Sequence, residues 1–362
     1  MKITHVEVWK RTFRLRTGYA VAYGNFDTAE NVFVRIHSSR GKSGLGCAAP
    51  DPQVTGETAD DVETVLRREA IPRIVGRDPL RLALRMQQLA RPLAAFPSAR
   101  AAVDMALHDH LGIVADLPLY KLLGGYRHKM KTSVTVGILP LEQTVSAAKG
   151  LCEQGFRALK LKGGLDADAD AARVLAVRRA VGARIELRFD ANQGYSADQA
   201  VAFVERTRDA KVSLIEQPTP ADQLDLLGRV TRRVPIPVMA DESLVTLRDA
   251  FRLARRGLVD MVNVKLMKVG GIAEALAVNA VARAADVQVM VGCMDEATVS
   301  IAAGLHFALS RPNVTFADLD GHLDLVDDPT SGAVLVKDGV LIPNAKAGLG
   351  CLDLARSGAV DT

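Results

Sequence analysis

The feature that most limits the fold is a series of eight short apolar segments separated by helical stretches. They are Ser133–Val136, Ala158–Lys162, Ile185–Asp190, Val212–Glu216, Val238–Asp241, Met261–Lys265, Val287–Val291 and Val314–Asp318. Short strands alternating with helices build parallel sheets, because each helix returns the chain to the same edge. Eight such units predict an α/β fold, a (β/α)8-type (TIM-like) barrel. The preceding residues have another texture. Ile3 and Val32 open strand-like segments, and Asp60–Glu63 places acids in a first helical turn. Ala101–Gly112 is apolar at helical spacing. The expected organisation is an α+β capping domain over residues 1–125, a barrel over 126–320, and a C-terminal segment, 321–362, that packs back on the cap.

Ionisable residues end four successive strands. Asp190, Glu216, Asp241 and Lys265 lie 26, 25 and 24 residues apart, one βα unit each. All would meet at the C-terminal face of the barrel, where active sites are built. Three converging carboxylates repel unless a cation lies among them. Their donors are hard oxygens with no His or Cys pattern, which points to one Mg2+ rather than zinc. Asn192, two residues past Asp190, reads either as a second layer behind the ligands or as a turn residue. Lys160 and Lys162 share the inward face of the second strand, while Leu159 and Leu161 face the helices. Adjacent ammonium groups beside that cation would depress each other's pKa and favour a general base. Lys265, on the sixth strand, lies across the barrel. Asp318 and Asp320 form an inward acid pair with no assigned cation, suited to a substrate ammonium. Asp295 and Glu296 follow the seventh strand and reach the mouth, as substrate contacts or as a solvated loop. Asp109, between His108 and His110, reads as a surface residue of a helix.

Composition narrows the rest. Net charge is +4 with a pI near 8.9, and the basic residues are scattered without interleaved aromatics. Nucleic acid is therefore not an expected partner. No apolar run is long enough to span a membrane, and the alternating N-terminus has no signal-peptide core. Cys47, Cys152, Cys293 and Cys351 include no CxxC pair and read as reduced cytosolic thiols. A cytoplasmic homo-oligomer acting on a small molecule is expected.

With these residues in place, the chain resembles the enolase superfamily, in its muconate-lactonizing subgroup, where Lys or His bases work beside Mg2+. The resemblance runs through Ala101–Leu107, Leu117–Gly125, Lys160-Leu161-Lys162, Asp190-Ala191-Asn192-Gln193, Ile215-Glu216-Gln217-Pro218, Ala240-Asp241-Glu242-Ser243 and Asn263–Lys268. It implies Asp190, Glu216 and Asp241 as Mg2+ ligands, Lys162 and Lys265 as acid/base lysines, and Lys160 as a stabiliser of the enolate. Asp318-Leu319-Asp320 is similar to the motif by which dipeptide epimerases bind the free amino group. Thr135 and, in a mobile loop near residues 16 to 28, Tyr23 and Gly24 would complete the substrate-facing set. L-Ala-D/L-Glu epimerases carry an arginine where Gly24 stands, so the resemblance implies a side-chain preference that is not anionic. Asp295 resembles acids of epimerases acting on cationic dipeptides, which leaves a cationic or apolar preference. Muconate cycloisomerases and o-succinylbenzoate synthases are similar elsewhere and remain alternatives, as does a barrel that only binds a ligand.

Overall fold

The structure, a computed structural model, describes residues 1–21 and 24–351. Three strands open the chain, β1 (Ile3–Val21), β2 (Gly24–Ser38) and β3 (Ser43–Ala48), as an antiparallel sheet in that order. Val32, Phe33, Val34 and Ile36 bury both faces of the central strand. The helix Pro97–Ala115 crosses β3 at very short range, and two glycines permit it. A Cβ at Gly46 would lie 2.0 Å from the Ala102 carbonyl oxygen, and one at Gly44 2.1 Å from that of Ala106.

That helix is covered on nearly every face, so its polar residues are interior ones. Asp109 is 2 % exposed and not a surface residue. Its carboxylate accepts the N–H of Leu45 at 2.8 Å and of Leu349 at 2.6 Å, tying the cap sheet to the C-terminal segment. Burial pushes the carboxyl up to about 7. The helical pattern of the sequence gave Asp109 a helix but not its surroundings.

After β4 (Met130–Lys131) come the eight parallel strands β5 (Val134–Val136), β6 (Ala158–Lys162), β7 (Glu186–Asp190), β8 (Val212–Glu216), β9 (Val238–Ala240), β10 (Met261–Lys265), β11 (Gln288–Gly292) and β12 (Val314–Asp318). They pair in sequence order, and a bridge from Thr132 to Ala317 joins the two ends into a barrel. The strand period of two divides each strand's residues. Leu159, Leu161, Leu187, Phe189, Ile215, Val262 and Val264 face outward into the helix layer and are buried there. Inward, Leu214, Met239, Met261 and Met290 with Phe316 form an apolar lower layer. Arg188 enters that layer fully buried, over the Phe316 ring, with its Nη1 donating to Ser133 Oγ and the Ala317 carbonyl, each at 2.9 Å.

The C-terminal segment touches the cap at two places. Leu325 bridges Leu15 of β1, and the Leu119 N–H donates to the Gly348 carbonyl. Between them, the hairpin β13 (Val334–Lys337) and β14 (Val340–Pro343) pairs with β4 under the N-terminal end of the barrel. Among the described residues no helix is long and apolar enough to cross a membrane.

Candidate active site

Each strand delivers inward side chains in alternation, and the last stands at the C-terminal rim. Lys162 is in register with Asp190, and Asp190 with Glu216, while Asp241 directly follows β9. One carboxylate oxygen from each of Asp190, Glu216 and Asp241 lies within 4.8 Å of the others, and all three residues are buried. These are the acids that the strand spacing singled out, brought to one point.

Two lysines bracket the acids. Lys162 Nζ lies 2.7 Å from Asp190 Oδ2 at one end, and Lys265 Nζ lies 3.0 Å from Asp241 Oδ2 at the other. Their strands, β6 and β10, are four apart in a ring of eight and face each other across the barrel. Lys160, one step deeper, pairs closely with Asp318 and lies 3.5 Å from Glu216 Oε2 and 3.6 Å from Asp190 Oδ2. Burial lowers its pKa, but Asp318, Glu216 and Asp190 outweigh burial and hold it well above the ordinary lysine value. Burial likewise opposes the charge on Lys265, and Asp241 outweighs it, so that amine is also held high.

Glu216 is the least compensated acid. Burial and then Asp190 push its carboxyl up to about 8. Asn263 Nδ2 donates to its Oε1 at 2.6 Å, whereas Oε2 is buried without a hydrogen bond. Gly292 on the next strand makes room for that amide, since a Cβ there would lie 2.5 Å from Asn263 Oδ1. An undonated oxygen amid three buried carboxylates fits a hard divalent cation of the magnesium type.

Other predicted residues fall around this centre. Asn192 donates its backbone N–H to Asp190 Oδ1 at 2.9 Å, and its side chain reaches Glu242 Oε1 at 3.3 Å, behind the acids. Asp318 and Asp320 come together at the eighth strand, but Asp318 already has a cation in Lys160 and accepts Ser133 Oγ at 2.6 Å. Asp320 Oδ2 accepts the Thr135 N–H at 2.7 Å. Burial and then Asp318 raise the Asp320 carboxyl, so its charge is the one left short of a partner. Thr135 meets the site through its backbone. The carbonyl of Asp295 accepts Asn31 Nδ2 at 2.9 Å from the cap. Glu296 turns inward, and burial pushes its carboxyl up to about 8. Tyr23 lies outside the described residues, and Gly24 is described only as the first residue of β2.

Three residues at the site had no assigned role in the sequence reading. Lys268 is buried one turn past β10 and bends back to donate to both the Asp241 carboxylate and its carbonyl. Asn263 holds Glu216. Gln217 Oε1 accepts the N–H groups of Asp241 and Ser243 at 3.0 and 3.1 Å, fixing the loop that carries Asp241. Lys268 and Gln217 lay inside the quoted family motifs, and Asn263 is inward by alternation.

Residues 3–124 match the mandelate racemase/muconate lactonizing enzyme N-terminal domain, and residues 143–352 match the enolase C-terminal domain-like family. The chain belongs to the mandelate racemase/muconate lactonizing enzyme family. Within that family, the L-Lys-D/L-Arg epimerase of Desulforapulum autotrophicum is 37 % identical over 97 % of this chain and 99 % of its own. The L-Ala-D/L-Glu epimerase of Bacillus subtilis, solved with substrate bound, superposes with a TM-score of 0.95 at 36 % identity, covering 97 % of this chain and 99 % of that one. A dipeptide epimerase from Enterococcus faecalis V583, solved with Mg and the dipeptide L-Leu-L-Tyr, gives a TM-score of 0.94 at 37 % identity with the same coverage. These family members are all epimerases, and the chain is accordingly an isomerase.

Proposed function

We propose that the chain is a Mg2+-dependent dipeptide epimerase that inverts the α-carbon of the C-terminal residue by proton transfer between two bases. One observation carries this reading. The acids run Asp190, Glu216, Asp241, with Lys162 at the first end and Lys265 at the last, on opposite walls of the barrel. A substrate carboxylate held over the acids presents its α-carbon between two amines.

Asp190, Glu216 and Asp241 would hold Mg2+, which when bound supplies positive charge against the negative charge that grows on the substrate carboxylate. Lys162 takes the α-proton from one stereoisomer, leaving an enediolate, and Lys265 delivers a proton to the opposite face. The reverse direction exchanges their roles. Lys160, buried beneath, stabilises the enediolate with its ammonium. Lys265 must shed a proton to act as a base. Asp241 raises it here. With that carboxylate's charge taken up, burial and Lys160 lower the lysine, opposed by the smaller pull of Glu216 and Glu242.

Asp320 gives the substrate ammonium an undercompensated carboxylate, with Asp318 beside it. This favours a dipeptide over a cycloisomerase or synthase substrate that lacks an amino group. The missing arginine at Gly24 and the position of Asp295 support a cationic or apolar side chain rather than an anionic one. One relative is named for L-Lys-D/L-Arg and another was solved with L-Leu-L-Tyr, which fall within those two classes. The test is a library of L,L-dipeptides with Mg2+ in D2O, read by mass spectrometry for deuterium at the α-carbon. Cationic or apolar C-terminal residues should exchange fastest. Exchange confined to acidic ones overturns the preference, and no exchange in any dipeptide overturns the function.

A further inference from the structure

A second cluster of metal-binding groups lies on the cap sheet. His5 of β1 pairs across the strands with His37 of β2, and Glu7 is two residues past His5. The three side chains therefore share one face. Their ligand atoms lie within 4.8 Å of one another. Glu7 Oε1 is 3.2 Å from His37 Nε2 and 3.7 Å from His5 Nε2.

The groups around the cluster leave these atoms available. Ser43 Oγ is 2.8 Å from His37 Nδ1, and Thr4 Oγ1 is 3.4 Å from His5 Nδ1. Each ring thus has a hydroxyl partner on its far nitrogen and turns Nε2 toward Glu7. His37 Nε2 is buried and makes no hydrogen bond. Arg35 Nη1 lies 3.4 Å from Glu7 Oε2, which leaves Oε1 to the histidines.

We propose that His5, Glu7 and His37 form a binding site for a zinc-type divalent ion, separate from the barrel acids. Metal–nitrogen and metal–oxygen bonds of zinc place tetrahedral ligands about 3.4 Å apart, and the two observed separations bracket that value. Two imidazoles favour zinc, copper or nickel over magnesium, which suits the all-carboxylate centre instead. The rings stack with 4.0 Å between centroids and 8° between planes, so they must splay for both lone pairs to reach one ion. His5 is exposed and has the room to turn. Solvent would fill the fourth position.

The cluster shares no residue with the barrel acids. From His5, β1 runs to Leu15, beside Leu325, a length of about 33 Å at the strand rise. An ion there would pin the first residues of β1 to the end of β2 and act on the stability of the cap.

The test uses the full chain without an affinity tag, in saturating Mg2+ to occupy the barrel acids, titrated with Zn2+ by calorimetry. The wild type should bind one Zn2+ that the His5→Ala/His37→Ala double variant does not. Ser43→Ala should weaken that binding about ten- to hundredfold. Glu7→Gln, which keeps shape and loses charge, should weaken it as well. Zn2+ should raise the unfolding temperature of the wild type and leave that of the double variant unchanged. Equal zinc stoichiometry and affinity in wild type and double variant would overturn the site, as would no zinc bound by the wild type.

Discussion

Replacing Asp104 by alanine should destabilise the protein by about 3 kcal/mol, because Asp104 caps a helix that belongs to the other domain. The helix Ile272–Ala284 begins just after the segment bearing Lys265 and Lys268, and its own N-cap is Gly271, with no side chain to offer. Asp104, fully buried in the helix Pro97–Ala115, supplies the missing acceptor. Its Oδ2 takes the N–H of Ile272 at 2.5 Å and of Ala273 at 3.3 Å. Gly271 has to be glycine there, since a Cβ would lie 2.5 Å from that oxygen. Loss of an N-cap costs about 1 kcal/mol. The Ile272 N–H, left buried without an acceptor, adds about 1–3 kcal/mol, while exposed Ala273 can turn to water. His108 Nδ1 keeps its 2.9 Å bond to the Asp104 carbonyl but loses the carboxylate 3.3 Å away. Burial lowers His108, but Asp104 outweighs burial and keeps it more basic than usual, an influence the variant also loses. Asp104→Asn keeps an oxygen for the two N–H groups and should cost about 1 kcal/mol, the share of charge in a cap. Urea unfolding followed by the fluorescence of Trp9, the sole tryptophan, reads the effect. An Asp104→Ala protein within about 0.5 kcal/mol of wild type, a typical surface substitution, would refute the reasoning. So would an asparagine variant as unstable as the alanine one.

Three further outcomes are expected. Asn263→Leu removes the donor to Glu216 and should weaken Mg2+ binding about ten- to hundredfold, measured by calorimetry, and unchanged affinity would remove Glu216 from the ligand set. Asp320→Asn keeps the bond from Thr135 yet loses the charge. It should raise KM for free dipeptides about ten- to hundredfold, and an N-acetylated dipeptide turned over as well as the free one would eliminate the ammonium role. Asp109 sets a pH slope in stability. Its carboxyl sits near 7 folded against 3.8 ordinarily, so the folded state keeps a proton that the unfolded chain releases. That contribution is fully present below about pH 4 and is lost as pH rises through 7, by at most about 4 kcal/mol. Asp109→Asn should flatten this slope in urea midpoints taken from pH 5 to 8, and equal slopes in both proteins would discount the carboxyl.

The barrel and its acids were legible because strand period and strand end are local properties. Alternation places Lys160 and Lys162 inward, and one acid per βα unit places Asp190, Glu216 and Asp241 together. What escaped were residues whose meaning comes from a distant partner. Asp109 looks like any helical acid until Leu45 and Leu349 close over it. Lys268 sits past the end of its strand, where alternation no longer tells direction, and only the fold turns it back to Asp241. The three carboxylates around Lys160 come from three other strands, so their pull on its charge is set by the fold and not by its own strand. The acid pair at Asp318 and Asp320 was located by sequence, but the pairing of Asp318 with Lys160 joins residues 158 positions apart.

The most direct test of the two-base account is α-proton exchange in D2O by Lys162→Ala and Lys265→Ala, each supplied separately with the two stereoisomers of an active dipeptide. Each variant should fail to interconvert the isomers, and each should still exchange the α-proton of one isomer, the opposite one in the two variants. Interconversion by either single variant, or exchange of the same isomer by both, would contradict a mechanism with one amine on each face.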